Sequence, residues 1–263
     1  MRSLLLLTLF STLLVAAPRA QQPATAEEFY ERGMERLRRE EVDGALADFD
    51  KAIALRADFA DAYFARSLAW DMKERGAKFP ELVKARDASM ADLDKAIALA
   101  PERLLFLKRR GAYMLRFAAG PEDYEAIIAD FSKAISLDPS DAQLYFLRSS
   151  VLMLREDFKG ALEDDDRAVA LEPANAGYVG SRGWLKLVFL GDYKGAEADA
   201  DRAIRLDTSS DAYQWYAIRG RARLSLGRKL EATRDFRKCR QLDSRCASAL
   251  QKLDMLMKKA QRR

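Results

Sequence analysis

The apolar residues of this chain recur at helical spacing, in segments separated by polar or proline-containing breaks. One segment runs from Leu144 to Leu154, and after a break at 157–160 another runs from Ala161 to Leu171. Apolar positions three and four residues apart place one stripe along a helix. Pro173 then closes the second segment, because proline disfavours helix in the residue before it. The pattern therefore predicts pairs of amphipathic helices.

A short sequence motif recurs in the second helix of each predicted pair. It first occurs at residues 47–55 as ADFDKAIAL, and its first aspartate returns at intervals of 44, 38, 34, 35 and 36 residues. A period of this size in a helical pattern predicts stacked helix pairs in an all-α solenoid. The recurring aspartates are Asp48, Asp92, Asp130, Asp164, Asp199 and Asp235.

Small residues recur near the middle of the first helix of each pair. They are Gly33, Ser67, Gly111, Ser149, Gly183 and Gly220, and prolines close three of the second helices at Pro101, Pro139 and Pro173. In these features the chain resembles tetratricopeptide repeat proteins over residues 26–246. The resemblance implies a right-handed superhelical solenoid of about six helical hairpins, with a first helix (A) and a second helix (B) in each.

The predicted hairpins are about 26–59, 60–103, 104–141, 142–175, 176–210 and 211–246. The second has extra residues at 73–89, where Phe79-Pro80-Glu81 predicts a new helix start, and the third has an expanded turn at 118–123. These insertions are either recognition features or tolerated surface. Residues 247–263 predict a terminal capping helix that shelters an apolar end.

The first 20 residues predict a secretory signal peptide. Arg2 precedes an apolar run from Leu4 to Ala17, and small residues follow, with cleavage after Ala17 or after Ala20. The run is too short to span a bilayer comfortably, and an uncleaved signal anchor is the alternative. We therefore expect an exported protein, periplasmic in a bacterium or secreted, with no membrane span after cleavage.

Charge and composition narrow the class of partner. The net charge is +4, and removal of residues 1–20 deletes two arginines and no acid, which lowers it to +2. A chain so near neutrality is not expected to bind nucleic acid. The composition, 49% hydrophobic and 33% charged, is typical of a folded helical protein. Cys239 and Cys246 are the only cysteines, and after export they can form a disulfide or remain as two thiols.

An arginine stands directly before the small residue of every helix A. If each arginine meets the recurring aspartate through two hydrogen bonds, the pairs form a structural ladder between helices. The alternative is a row of cations that binds an acidic peptide. The aspartates recur with the same period and in equal number, so they would neutralise the arginines, and this favours the ladder. The arginines are Arg32, Arg66, Arg110, Arg148, Arg182 and Arg219.

Asp165 departs from the repeat. It occupies a position in helix B that is bulky and apolar in four other hairpins, and burying an unpaired carboxylate is costly. The substitution predicts either a rotated helix or a polar notch. Asp164, Asp165 and Asp166 are consecutive and point about 100° apart on a helix, so they do not predict a metal site.

The resemblance also selects candidate binding residues, because helix A supplies the concave face in this repeat family. Aromatic side chains on an open groove commonly anchor peptides. Three glycines at 177, 180 and 183 either leave a notch before Trp184 or allow close helix packing. The candidate residues are Tyr30, Met34, Phe64, Leu68, Phe146, Ser150 and Trp184.

The sequence favours binding over catalysis. It contains no histidine, which excludes Ser-His and Cys-His nucleophile systems, and it contains no phosphate-binding glycine loop. No metal or cofactor is predicted. We therefore expect a non-enzymatic scaffold for a protein or peptide. One alternative is an adaptor or self-associating protein that uses the extended second and third hairpins, and a less favoured one is an enzyme that uses carboxylates alone.

Overall fold

The computed structural model describes residues 25–261, and these form thirteen α-helices without a strand. The all-α, hairpin-based fold class predicted from the sequence is confirmed. Helices A and B alternate along the chain, and a thirteenth helix follows. The helices are α1 (Ala26–Arg38), α2 (Val42–Leu55), α3 (Ala60–Gly76), α4 (Glu81–Leu99), α5 (Leu104–Leu115), α6 (Pro121–Leu137), α7 (Ala142–Leu154), α8 (Phe158–Leu171), α9 (Ala176–Leu185), α10 (Tyr193–Leu206), α11 (Tyr213–Ser225), α12 (Lys229–Leu242) and α13 (Cys246–Ala260).

The small residues of helix A allow a bulky residue of helix B to fill the space between the two helices. A Cβ atom added at Gly33 would lie 2.6 Å from Cε1 of Phe49, and one at Gly220 would lie 2.4 Å from Cε1 of Phe236. Distances this short are not tolerated in a close-packed interior. Glycine is therefore required wherever a phenylalanine of helix B packs against helix A.

The chain divides into two compact units, with the boundary between Ser89 and Met90 inside α4. In the first unit, Phe49 and small residues of α2 and α3 form a buried apolar cluster. Ser89 on α4 donates a hydrogen bond to the Ser67 carbonyl oxygen of α3, at 3.1 Å. In the second unit, one cluster is centred on Phe131 of α6 and a larger one joins α9 to α13.

The two predicted insertions lengthen helices B. Helix α4 begins at Glu81 and has 19 residues, and α6 begins at Pro121 and has 17, whereas α2 has 14. Proline at the first position of α6 is favourable, since its missing N–H has no partner there in a helix. Phe79, before α4, is 81% exposed.

Helix A of the fifth hairpin continues beyond α9 as a π-helical turn, Lys186–Leu190. Gly191 follows with a φ of 65°, in the left-handed region that favours glycine. Leu187 and Val188 of this turn are buried in the larger apolar cluster. No pattern in the sequence predicts this turn.

Helix α13, which covers most of the predicted capping segment 247–263, packs back on α11 and on the π-helical turn. Its apolar residues Leu250, Leu253, Leu256 and Met257 join the cluster that contains Leu187 and Ile218. The apolar stripe of α13 thus covers a lateral face of the hairpins that precede it.

Among residues 25–261, none of the helices combines the length and the apolar character that crossing a bilayer requires. The predicted signal peptide, residues 1–20, lies outside the described residues.

Candidate functional site

Five of the six arginines of the predicted ladder bind the recurring aspartate of their own hairpin. Nε and Nη2 of Arg148 donate to the two carboxylate oxygens of Asp164, at 2.8 and 2.7 Å. This two-bond geometry is the strongest that a guanidinium and a carboxylate can form. The aspartates are buried, whereas the arginines are only partly so. The other pairs of this kind are Arg32–Asp48, Arg110–Asp130, Arg182–Asp199 and Arg219–Asp235.

From the second hairpin onward, the ladder arginines, Arg66 included, also reach the preceding helix B through Nη1. Nη1 of Arg182 donates to Asp166 at 2.8 Å, two residues after the ladder aspartate of α8. The hydrogen bond to Asp199 is the largest cause of a raised pKa at Arg182, and the bond to Asp166 adds to it. Burial acts in the opposite direction but does not cancel the rise. The equivalent contacts are Arg66–Asp50, Arg110–Asp94, Arg148–Ser132 and Arg219–Asp201.

The ladder therefore joins neighbouring hairpins. Its second contact was not predicted, although the sequence shows the spacing in the pattern Asp-x-Asp of residues 48–50, 92–94, 164–166 and 199–201. Because these guanidinium groups are occupied by two partners, they are poor candidates for gripping a ligand.

Asp165 is 1% exposed and faces the small-residue position of its hairpin, Ser149. Among the described residues, neither carboxyl oxygen of Asp165 nor the Ser149 hydroxyl has a hydrogen-bond partner in good geometry. Burial raises the pKa of Asp165 to about 7, while the nearby Ser149 hydroxyl opposes this rise. The Asp165 carboxyl therefore lies in the interior of its hairpin.

An open cleft of about 640 Å³ lies between α7, α9, α11 and α13 in the second unit. Phe146 and Trp184, two of the predicted binding residues, both line it. Phe146 also packs against Tyr178, with ring centroids 5.1 Å apart. Trp184 packs edge-on against Phe189, at 5.4 Å. Two aromatic side chains are thus held in place at the surface of one cleft.

The glycines before Trp184 both allow close helix packing and leave room in the cleft. A Cβ added at Gly180 would lie 2.1 Å from Cζ3 of Trp215, and one at Gly183 would lie 3.0 Å from Cβ of Asp199. These two positions therefore allow close helix packing. Gly177 and Gly180 also line the cleft, where their missing side chains leave room.

The remaining predicted binding residues lie elsewhere. Tyr30 and Met34 are in the first unit and pack against the cluster around Phe49. Phe64 and Leu68 are half-buried on α3, also in the first unit. Ser150 uses its hydroxyl to donate to the Phe146 carbonyl oxygen, at 3.0 Å. Of the seven predicted binding residues, Phe146 and Trp184 are the two that line the cleft between α7, α9, α11 and α13.

Helices α11 and α13 supply the walls that the sequence analysis missed. Tyr213 and Trp215 come from α11, and Nε1 of Trp215 donates to Asp207 at 3.0 Å, which fixes the indole. Ala217 occupies the helix A position at which Phe146 stands in α7 and Gly180 in α9. At this position a large side chain in α7 is followed by small residues in the next two hairpins, Gly180 and Ala217. This change in the sequence indicates the cleft.

The charge along the cleft is positive. Arg245 and Lys252 line it, and no aspartate or glutamate does. Arg245 is bound to Asp211 at 2.8 Å and to Asp243 at 2.7 Å, and these bonds raise its pKa. Lys252 is exposed and has no ion-pair partner among residues 25–261. The cleft thus offers aromatic surface beside one uncompensated ammonium group.

Cys239 and Cys246 form a disulfide, with their Cα atoms 5.6 Å apart. Both residues are fully buried. The bond joins the end of α12 to the start of α13, the helix that carries Lys252. It therefore restricts the position of one wall of the cleft.

In the described part of the chain, no group of three histidine, cysteine or acidic residues is arranged to hold a metal ion.

The comparisons with known proteins agree with this architecture. A tetratricopeptide repeat family model matches residues 186–241. No curated protein matches the chain significantly. The match over residues 186–241 bears out the resemblance to tetratricopeptide repeat proteins, and the solved structures that follow share the fold.

Several solved structures share the fold at low identity. PilF of Pseudomonas aeruginosa is similar with a TM-score of 0.63 and 14% identity, over 88% of this chain and 96% of that chain. PilW, described as a widely conserved type IV pilus biogenesis factor, gives 0.62 and 15%, over 87% and 97%. YrrB, described as having an unusual peptide-binding site, gives 0.58 and 18%, over 69% and 86%. At such identities the likeness establishes the fold alone.

Proposed function

We propose that this protein is a non-enzymatic scaffold that acts outside the cytoplasm and binds a protein or peptide in the cleft between α7, α9, α11 and α13. The observation that carries the proposal is the meeting of Phe146 and Trp184 at one open cleft of about 640 Å³. A volume of this size accommodates one or two bulky side chains of an extended or helical segment.

The chemistry of the lining supports a peptide ligand. Aromatic side chains held by their neighbours lose little conformational entropy on binding, which makes them effective anchors. Ser181, Gln214 and Ser248 lie among them and offer hydrogen-bonding groups. The fold is shared with YrrB, for which a peptide-binding site is described.

The extracytoplasmic setting is supported by the pattern of residues 1–20 and by the disulfide, because such bonds persist in oxidising compartments. The likeness to PilW, a pilus biogenesis factor, is consistent with it.

A selection from a displayed library of random peptides tests the proposal. The variant Ser181→Trp places an indole in the cleft, and Ser225→Trp makes the same change at the exposed end of α11, away from it. We expect enriched peptides to bind Ser181→Trp at least about tenfold more weakly than wild type, a loss of about 1.4 kcal/mol. They should bind Ser225→Trp as wild type. Peptides that bind both variants equally well would contradict the proposal.

A second candidate function, an adaptor that uses the extended second hairpin, is supported by the exposure of Phe79, at 81%. An exposed phenylalanine beside a helix start offers an apolar contact to a partner or to a second copy. In that case Phe79→Ser should abolish association in sedimentation experiments, and Ser181→Trp should leave it intact. The reverse result favours the cleft.

A further inference from the structure

Helix α12 departs from the five preceding helices B at two repeat positions. Two residues after the ladder aspartate, the earlier helices carry Asp50, Asp94, Ser132, Asp166 and Asp201, but α12 carries Arg237. Five residues after it, they carry Ile53, Ile97, Ile135, Val169 and Ile204, but α12 carries Arg240.

In the earlier hairpins, these two positions hold the next hairpin in place. The acid or serine at the first position accepts a hydrogen bond from the arginine of the following helix A, as Asp166 does from Arg182 at 2.8 Å. The aliphatic residue at the second position packs into the following hairpin, as Ile204 does in the cluster around Ile218. The side of helix B that carries them is therefore a docking face for a helix.

In α12 this face is cationic and open. Arg234, Arg237 and Arg240 recur every third residue and lie on one side of the helix. All three are exposed, and none forms an ion pair with any residue from 25 to 261. Leu230 is on the same side and is 79% exposed. We define these four residues as the arginine face.

The acids of α12 do not neutralise the arginine face. Asp235 is buried and bonded to Arg219 and Arg223. Glu231 is close to Arg223 and Arg228, at 3.7 and 3.8 Å. Helix α13 packs on α11 and the π-helical turn, and it leaves Arg237 and Arg240 exposed.

We propose that the arginine face binds an acidic helix of a partner protein, which docks on α12 in the way that a helix A docks on each earlier helix B. The partner helix would present carboxylates at three- and four-residue spacing to the arginines, and an apolar side chain to Leu230. This surface is separate from the cleft, and the proposal does not depend on the cleft being a binding site.

The charge pattern selects against another copy of this chain. Each helix A brings an arginine to the position now faced by Arg237, and like charges there repel. The positions themselves favour a helix over a lipid surface, because the same side of the five earlier helices B packs against a helix.

Binding of a synthetic helix tests this proposal. The probe is an alanine-based peptide of about 18 residues with glutamates along one side and a leucine near one end, a length that supports a stable helix. A peptide of the same composition with its glutamates distributed around the helix tests for bare charge. Vesicles containing phosphatidylglycerol test for a lipid surface.

The variant Arg237→Asp/Arg240→Ile restores residues that earlier helices B carry, so we expect it to fold. The matched control Lys194→Asp/Arg205→Ile makes the same changes at exposed cations of α10. We expect wild type and the control to bind the one-sided helix at least about tenfold more tightly than the redistributed peptide. The arginine-face variant should lose this binding, with helicity by circular dichroism unchanged.

Three results would overturn the proposal. They are equal binding of both peptides, binding to the vesicles that matches or exceeds binding to the one-sided helix, and binding that survives the arginine-face substitutions. Self-association of the wild type that is lost in the variant would also contradict it, by identifying a second copy as the occupant.

Discussion

The buried carboxyl of Asp165 should make the protein less stable as the pH rises. Its pKa is about 7 in the folded chain, against an ordinary 3.8, mainly because of burial. When the pH lies between these two pKa values, Asp165 keeps its proton in the folded state and has released it in the unfolded state. The free energy of unfolding therefore decreases by about 1.4 kcal/mol for each pH unit, and it levels off above the folded pKa. The total loss is about 4 kcal/mol.

Replacement of Asp165 by leucine removes this dependence. The second hairpin carries serine and leucine, Ser67 and Leu93, at the two repeat positions that hold Ser149 and Asp165 here, so a leucine suits this position. We expect Asp165→Leu to be more stable than wild type, by an amount that is about 3 kcal/mol larger near pH 8 than near pH 5. Groups common to both proteins cancel in this comparison.

Urea denaturation of the disulfide-bonded protein at the two pH values measures the effect. Asp165→Asn is the matched control, since an amide resembles the protonated carboxyl in shape and cannot ionise. It should lose the same pH dependence without the gain from apolar burial. If the difference between wild type and Asp165→Leu is the same at both pH values, the carboxyl is not held protonated by its surroundings.

Two other predictions concern the construction of the cleft. Gly180→Ala should destabilise the protein by about 1–3 kcal/mol, because the new Cβ would lie 2.1 Å from Trp215. Gly177→Ala is the control. Its Cβ would come no closer than 3.2 Å to Asn175, so the melting temperature should change little. Equal effects of the two alanines would contradict the packing described for Gly180. Replacing both cysteines by alanine should cost about 2 kcal/mol, given the short loop that the disulfide closes, and should also weaken the binding of a selected peptide, as measured by calorimetry. Unchanged affinity would show that the disulfide does not position α13.

The repeated elements of the fold could be predicted from the sequence because each hairpin restates the same local rules. The arginine before the small residue and the aspartate of helix B hold the same register throughout, and the structure places Arg148 against Asp164 and Arg182 against Asp199. The arginine and aspartate positions are recognisable because they recur at the same register in six hairpins, whereas one hairpin alone would not distinguish them from other charged residues.

The cleft could be predicted only in part, because its walls depend on packing that is not repeated. Phe146 and Trp184 follow from the helix A register. The path of α13 does not, since an amphipathic helix can cover any apolar face that its connection allows. Its return onto α11 depends on residues of the π-helical turn, such as Leu187 and Val188, which no periodic signal distinguishes from an ordinary helix end.

Nuclear magnetic resonance of the three tryptophan indoles tests the central claim most directly. Trp184 and Trp215 line the cleft, and Trp70 lies on α3 in the first unit. Addition of a library-selected peptide should shift the indole N–H signals of Trp184 and Trp215 and leave that of Trp70 in place. A peptide that binds and shifts only the Trp70 signal, or none of the three, would contradict binding at the cleft.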